Sequence, residues 1–439
     1  MLKQFNAREG YRKGAPGKRK RRSVPLITLL VFACTLCLSP LEALALIKNE
    51  YLGDIAVTVA GATRTKERFV ESLVEKCLKK GDYRSWETVD AGALSQCISN
   101  SRLFRSVDVA VGAAELKVTV DERWTLIPVP YVYSSNDKRA AGLFLFESNL
   151  FGYGKTVAAG GSVATEGNSF SLMYSDPAVN FSNHTLSVMA FRSNAELDAY
   201  VMKDIHDGFN KNETGVFLST GYRVTPSLEL SLSLGYADRS YTQLDSFTTP
   251  EDYHATSVGG RVSYHNADYK LFYNDGLTGS ITWLSQVHRS DGKEKLSQAT
   301  VSIQRDITLF SLHALQLGMH GSIQSDNGNR GDVAMYGRAK GYRGIEPNGL
   351  WTRRIIAVSA DYQIPVAKTG QGTFTVAPFV DYGQYKPFVE GSGSNYTAYG
   401  IGAYYFVNLV NLPGIGIVLG RNEQFMGNFV TFQIGMAFK

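Results

Sequence analysis

From Trp124 onward the chain alternates an apolar residue with a small or polar one, segment after segment, and this period of two constrains the fold more than any other feature. Leu228, Leu230, Leu232 and Leu234 fall on one side of an extended strand, with Glu229, Ser231, Ser233 and Gly235 on the other. Near the C-terminus Phe432, Ile434, Met436 and Phe438 alternate in the same way with Thr431, Gln433, Gly435 and Ala437. Each segment is about ten residues long, which is what a tilted strand needs to cross a hydrocarbon layer. Unpaired strand edges cannot be tolerated in lipid, so such segments must close into a barrel. A soluble sandwich or solenoid would leave the outward leucines and the secretory start described below without a common cause.

We place strands near 125–134, 140–148, 154–165, 168–175, 184–193, 213–224, 227–239, 255–267, 276–290, 296–308, 311–325, 353–364, 373–385, 397–408, 412–421 and 429–438, sixteen in all. An even number suits bacterial barrels, and Tyr131, Tyr236, Trp283 and Tyr404 near strand ends suit interfacial girdles. A polytopic helical protein is excluded, because past residue 45 no run approaches the ~20 apolar residues a spanning helix needs. With 19% charged and 12% aromatic residues, the chain fits neither disorder nor a coiled coil.

Residues 1–45 have the marks of a secretory signal. Lys3, Arg8, Arg12, Lys13 and the run Lys18 to Arg22 precede an apolar stretch from Leu26 to Leu38, and Ala43-Leu44-Ala45 supplies small residues at cleavage spacing. Retention as an anchor is the alternative, against which the short apolar core argues. The segment carries 9 of the 45 Lys and Arg and 2 of the 40 Asp and Glu, so the mature chain has 36 against 38, a net charge of −2. The apparent basicity is a targeting feature, and no clustered basic face points to nucleic acid. Cys34 and Cys37 leave with the signal; Cys77 and Cys97 remain.

Residues 54–123 differ from the rest. Ile55, Val57 and Val59 alternate in a strand that Gly61 breaks, and Thr65 stands as N-cap to a helix with Phe69, Val70, Leu73, Val74 and Cys77 on one face. A second helix carries Val89, Ala93, Leu94, Cys97 and Ile98, and strands at Val107 to Val111 and Leu116 to Val120 close the unit. Strand, helix, helix, strand, strand resembles a POTRA domain. Such domains hang in the periplasm from outer-membrane barrels and bind client polypeptides, for which a free sheet edge offers backbone donors and acceptors. Cys77 and Cys97 sit on the apolar faces of the two helices, and either a disulfide or two buried thiols is compatible with that.

Between the eleventh and twelfth strands, roughly 326–352, lies a long connection containing Gly341-Tyr342-Arg343-Gly344. This resembles the Val/Ile-Arg-Gly-Phe/Tyr signature on the lumen-inserted loop of BamA/TamA (bacterial surface antigen) family barrels, departing from it at Tyr342 and Ile345. Phe379-Val380-Asp381-Tyr382-Gly383 matches the family's Phe-x-Asp-x-Gly strand, and Asp361 to Pro365 looks like its acidic-then-proline strand. Period two decides where the acids point: with Ile356, Val358 and Tyr362 toward lipid, Asp361 faces inward, and with Val380 and Tyr382 toward lipid, so does Asp381. The resemblance implies that Arg343 meets Asp381, and secondarily Asp361, inside the barrel. Glu147 to Gly154 is similar to the family's Asn-Leu-x-Gly-x-Gly hairpin, and Ser175-Asp176-Pro177 to its Asp-Pro turn. Family barrels finish on an aromatic residue that assembly machinery reads, whereas here Lys439 follows Phe438.

No Gly-x-Ser-x-Gly, His-Glu-x-x-His or Gly-x-x-x-x-Gly-Lys-Ser/Thr occurs, so no catalytic centre, metal or cofactor is expected, and His184, His265 and His288 are taken as lumen or rim residues. We therefore expect a transmembrane β-barrel of sixteen antiparallel strands (124–439) preceded by a POTRA-like periplasmic domain (54–123). The resemblance implies insertion or translocation of unfolded clients in an outer membrane, with its lipid and accessory assembly proteins as further partners. Glycines 414, 416, 420, 427 and 435 near the closure suggest a thinly packed seam. Two-partner secretion of a dedicated substrate and passive diffusion are the alternatives.

Overall fold

A computed structural model of the protein describes residues 47–49, 52–112, 114–135, 138–201, 204–244, 247–310, 312–388, 394–410 and 414–434. The expected signal at 1–45, Gly435 and the C-terminal Phe438 lie outside the described residues, as does the side chain of Tyr131.

The N-terminal unit comprises β1 (Ile47–Asn49), β2 (Gly53–Ala60), α1 (Glu67–Gly81), α2 (Ala91–Ser99), β3 (Phe104–Val111) and β4 (Glu115–Glu122). Its sheet runs in the order β1-β2-β4-β3, with β2 and β4 parallel. Phe69, Val70, Val74 and Leu78 from α1 and Leu94 and Ile98 from α2 pack in one buried core with Ile55, Leu116, Val118 and Val120. Inside that core Cys77 and Cys97 form a disulfide, with Cα atoms 5.8 Å apart. Two details differ from the sequence expectation. The segment before residue 54 contributes β1, whose three residues are too few to show alternation. Thr65 does not cap α1, where the N-cap is Lys66 without a side-chain bond; instead Thr65 is buried, its N–H donating to Glu122 at 2.6 Å. The cap that forms is on α2, where Asp90 accepts from the N–H groups of Gly92 (2.8 Å) and Ala93 (3.1 Å).

The remaining strands are β5 (Leu126–Ser135), β6 (Lys138–Leu150), β7 (Lys155–Ala164), β8 (Gly167–Asp176), β9 (His184–Val201), β10 (Asp204–Thr225), β11 (Leu228–Gln243), β12 (Tyr253–Lys270), β13 (Tyr273–Arg289), β14 (Ser297–Leu309), β15 (His313–Gln324), β16 (Met335–Tyr336), β17 (Leu350–Trp351), β18 (Arg354–Lys368), β19 (Gly372–Tyr385), β20 (Asn395–Val407), β21 (Ile415–Asn422) and β22 (Gly427–Ile434). Omitting the short hairpin β16–β17, sixteen of them among the described residues form one antiparallel sheet in chain order, and its end strands β5 and β22 lie side by side to complete a barrel. Leu230, Leu232 and Leu234 project outward as the alternation requires, as do Ile356, Val358, Val380 and Tyr382.

β9 and β10 run well past the expected limits: residues 194–201 and 204–212 extend the two strands instead of forming a loop. Asn194, Glu196, Asp198, Asp207 and Asn210 lie there. Strands that leave the hydrocarbon layer need no lipid face, so the alternation fades while the ladder continues. Tyr404 is also corrected. It faces inward and is buried, because Gly402 and Gly416 leave room for its ring: a Cβ on Gly416 would stand 2.1 Å from it. Gly420 likewise lies under Phe429. These glycines near the closure seat inward aromatic rings rather than thinning the wall.

Two turns at the N-terminal-domain end of the barrel grip the small domain. The β6–β7 turn meets the start of α1: Lys66 N–H donates to the Gly152 carbonyl at 2.9 Å, and the buried Asn149 amide donates to Thr65 Oγ1 at 2.9 Å. Gly152 and Gly154 have φ of +80° and +64°, and a Cβ on either would lie 2.3 Å from the Arg64 carbonyl oxygen or the Phe69 ring. Burial disfavours the charged form of Glu122, but hydrogen bonds from Thr65, Thr63 and Arg64 outweigh it and hold its pKa at about 2. Across the mouth, the end of the β12–β13 hairpin is held by the residues just after α2: Asn100 donates to Asp268 at 3.0 Å, Tyr269 N–H donates to Asn100 at 2.8 Å, and Arg102 donates to Asn274 at 2.8 Å. The Arg102 guanidinium also lies 4.7 Å from the Tyr269 ring centre.

Candidate functional site: a loop seated inside the barrel

The segment joining β15 to β18 folds back against the inner wall, and hairpin β16–β17 gives it a two-residue ladder, Met335 with Trp351 and Tyr336 with Leu350. Its tip is Gly341 to Gly344. Positive φ at both glycines, +88° and +72°, makes the bend, and a Cβ on Gly344 would stand 2.6 Å from the Phe429 ring and 2.7 Å from Asn422.

Arg343 projects from this tip. Its Nε donates to Asp381 Oδ2 at 2.8 Å and its NH2 to Oδ1 at 2.5 Å. On its other edge NH1 and NH2 donate to the two oxygens of Asp361 at 2.7 and 3.2 Å. The Arg343 backbone N–H also donates to Asp381, at 3.2 Å. The planar fork thus serves one carboxylate side-on and the second end-on, a geometry that lysine cannot reproduce. Lys340 adds a further cation 3.0 Å from Asp361, so two cations face two anions. All three principal groups are buried, Asp381 completely.

The inward face of β19 explains why Phe379, Asp381 and Gly383 occur at alternate positions. Phe379 lays its ring 3.6 Å from the guanidinium carbon of Arg343. Asp381 takes the edge of the same group. At Gly383 a Cβ would lie 2.2 Å from the Tyr396 ring, and that ring must pass there for its hydroxyl to donate to the Gly341 carbonyl at 2.6 Å. One strand therefore supplies the face, the charge and the clearance. Such a buried ionic cluster need not add net stability, because desolvation offsets the Coulomb gain; fixing one arrangement is its better-attested use.

Sequence reasoning brings Arg343, Asp361 and Asp381 together and misses the rest. Asn422 Nδ2 donates to the Arg343 carbonyl at 3.1 Å, and Met426 N–H to the Gly344 carbonyl at 3.3 Å, so the tip also touches the hairpin β21–β22 beside the closure. Asp332, early in the loop, enters a cluster with Arg289 and Tyr253. No signal in the sequence marks these partners, since an asparagine at a strand end and an arginine at a rim are ordinary there. His184 packs at a tilt against Tyr222 and His288 against His254, away from the tip.

The model of the Omp85 superfamily domain matches residues 149–403. Among solved structures, BamA from Haemophilus ducreyi lacking POTRA domains 1–3 is 13% identical, with a TM-score of 0.54 over 87% of this chain and 84% of that one. CdiB from Acinetobacter baumannii is 11% identical, with a TM-score of 0.55 over 87% and 73%, and CdiB from Escherichia coli is 11% identical, with 0.50 over 91% of each. At such identities the likeness is one of fold. No curated protein sequence matches the chain.

Proposed function

Because the chain belongs to the Omp85 superfamily, we propose that it handles other polypeptides at an outer membrane, inserting them into the bilayer or passing them across it. The observation that carries this reading is the seated loop. A loop held to the inner wall by a buried Arg343 between Asp361 and Asp381 gives a conduit that opens on demand one defined resting state.

The small domain is the client-binding element in this reading, a POTRA-like unit by its order of strand, helix, helix, strand, strand. β3 stands at the edge of its sheet with no neighbour beyond it among the described residues. Next to β3 a groove of about 480 Å³ runs between the domain and the barrel rim, lined by Phe104, Leu271, Phe272 and Val366 with Arg105 and Lys368. An extended client can add to that edge through its backbone while its side chains enter the groove. The disulfide stiffens the helices behind it.

Planar-bilayer recording tests the proposal. We expect little steady conductance from the purified protein, openings that depend on an added denatured outer-membrane client, and photocrosslinks to that client from probes at 106 or 108 on β3. A steady current indifferent to client, with no crosslink, would establish the diffusion pore instead.

A further inference from the structure

We infer that Asp332 is a second positioning residue for the lumen loop, seated by a lock whose charges are the reverse of those around Arg343. The inference rests on the proposed role of that loop as the element that closes the barrel.

Asp332 is buried. Its Oδ2 accepts from Arg289 NH1 at 2.5 Å and from Asn327 at 2.7 Å, its Oδ1 accepts from the Tyr253 hydroxyl, and Arg239 NH1 lies 3.7 Å away. The lock is built from three adjacent strands: Arg239 on β11, Tyr253 on β12 and Arg289 on β13. The Tyr253 ring supports both guanidiniums, with Arg289 3.8 Å and Arg239 5.2 Å from its centre. Each cation is itself held, Arg289 by Asp291 at 2.6 Å and Arg239 by Glu213 at 2.6 Å. Neighbouring contacts fasten the backbone. Gln324 donates to the Asp332 carbonyl at 2.6 Å, Arg330 pairs with Asp207, and Gly331 passes so close to Tyr241 that a Cβ would stand 2.5 Å from its ring.

At Asp332 the loop offers an anion to two wall cations; at Arg343 it offers a cation to two wall anions. The seats lie on different stretches of wall, β11–β13 and β18–β19, with β14 and β15 between them. Exchanging the seats would bring Arg343 to two guanidiniums that already have carboxylate partners and Asp332 to two carboxylates, which low-dielectric surroundings disfavour. The reversal of sign therefore fixes both the position and the direction of the loop. It also means that losing either seat loosens β16, which lies between them in the chain, and with it its ladder partner β17.

The test uses the full chain with Leu350→Cys on the buried strand β17 as a reporter, scored by its rate of reaction with a bulky maleimide, with heat-modifiable gel mobility as the control for an intact barrel. We expect Asp332→Asn to raise that rate about tenfold or more, the ratio that ~1.4 kcal/mol of lost seating produces, while Asp332→Glu stays near the parent. Arg343→Gln is the reference. If Arg343→Gln raises labelling and Asp332→Asn does not, the second seat is refuted and the loop reading stands. If only Asp332→Asn raises it, the second seat holds and the loop reading, centred on Arg343, fails; if neither does, both fall. Should Asp332→Asn not assemble, Tyr253→Phe decides, since it removes one hydroxyl donor: a several-fold rise supports the seat and no rise refutes it.

Discussion

The molecule has two joints, and they are built from different chemistry. Where the small domain meets the barrel, the contacts described above are single hydrogen bonds with at most one charged partner: a backbone amide on the Gly152 carbonyl, Asn149 on Thr65, Asn100 on the Asp268 carboxylate. Where the lumen loop meets the wall, the contacts are buried ions, Arg343 with Asp361 and Asp381. Single hydrogen bonds of this kind exchange with water at a net cost of roughly 1–3 kcal/mol each, so a joint made of them can part and close again gradually. Buried ions behave otherwise, because a carboxylate whose partner leaves must be rehydrated or stay unpaired. The first joint is suited to graded hinge motion, and the second to two distinct states, seated and released.

The widest separation between the joints should come from Arg343→Ala. It leaves Asp381 without its cation and Asp361 with Lys340 alone, and we expect a loss of ~3–5 kcal/mol, read as a lower urea midpoint for the barrel with the small domain unaffected. Exchanging charges, Arg343→Asp with Asp381→Arg, should recover only part of the loss, because the new Asp at 343 then faces Asp361. No recovery at all would argue against direct pairing.

Reducing the Cys77–Cys97 bridge probes the other side of the comparison. The bond spans a sequence separation of 20, for which loop-closure entropy gives ~3 kcal/mol. We expect dithiothreitol to lower the unfolding temperature of the small domain while leaving heat-modifiable mobility of the barrel unchanged. A parallel fall in both would mean that the joint transmits stability between the two units.

Next in size is Gly154→Ala. The left-handed backbone costs an alanine roughly 1–2 kcal/mol, and its Cβ would press on the Phe69 ring. Undocking of α1, seen as faster proteolysis around 61–66 with the barrel intact, is the expected result.

The comparison also shows what the sequence could carry. Period two marks the strands because the lipid imposes it, and it placed Asp361 and Asp381 on the inner face through their outward neighbours Val358, Val380 and Tyr382. The motif at 379–383 supplied the match to Arg343. Information fails where no single environment dictates the residue. Tyr404-Tyr405-Phe406 is aromatic on both faces, so parity there is undefined, and Tyr404 proves to be inward. Asp332 sits in a loop without a period, and Arg289, at a strand end, has the look of a solvated rim charge until the fold buries it. Thr65 and Asn149 are far apart in sequence, and only the docked domain shows that the expected cap is an inter-unit contact.

The most local effect concerns pH, and it reaches the joint through Glu122, whose carboxylate holds the 63–65 segment that meets the β6–β7 turn. Glu122 is held at a pKa of about 2 against an ordinary value of 4.5. A depressed carboxylate contributes stability that is fully present above the unfolded pKa and is lost as pH falls through the folded one. Acidification from pH 5 toward pH 2 should therefore loosen the contact of Glu122 with Thr63, Arg64 and Thr65, measured as rising amide exchange at 63–65. Glu122→Gln should show that exchange already at pH 7 and lose the added dependence on acid. If the variant keeps the parent's profile, Glu122 does not hold this segment, and the remaining contacts of the joint suffice.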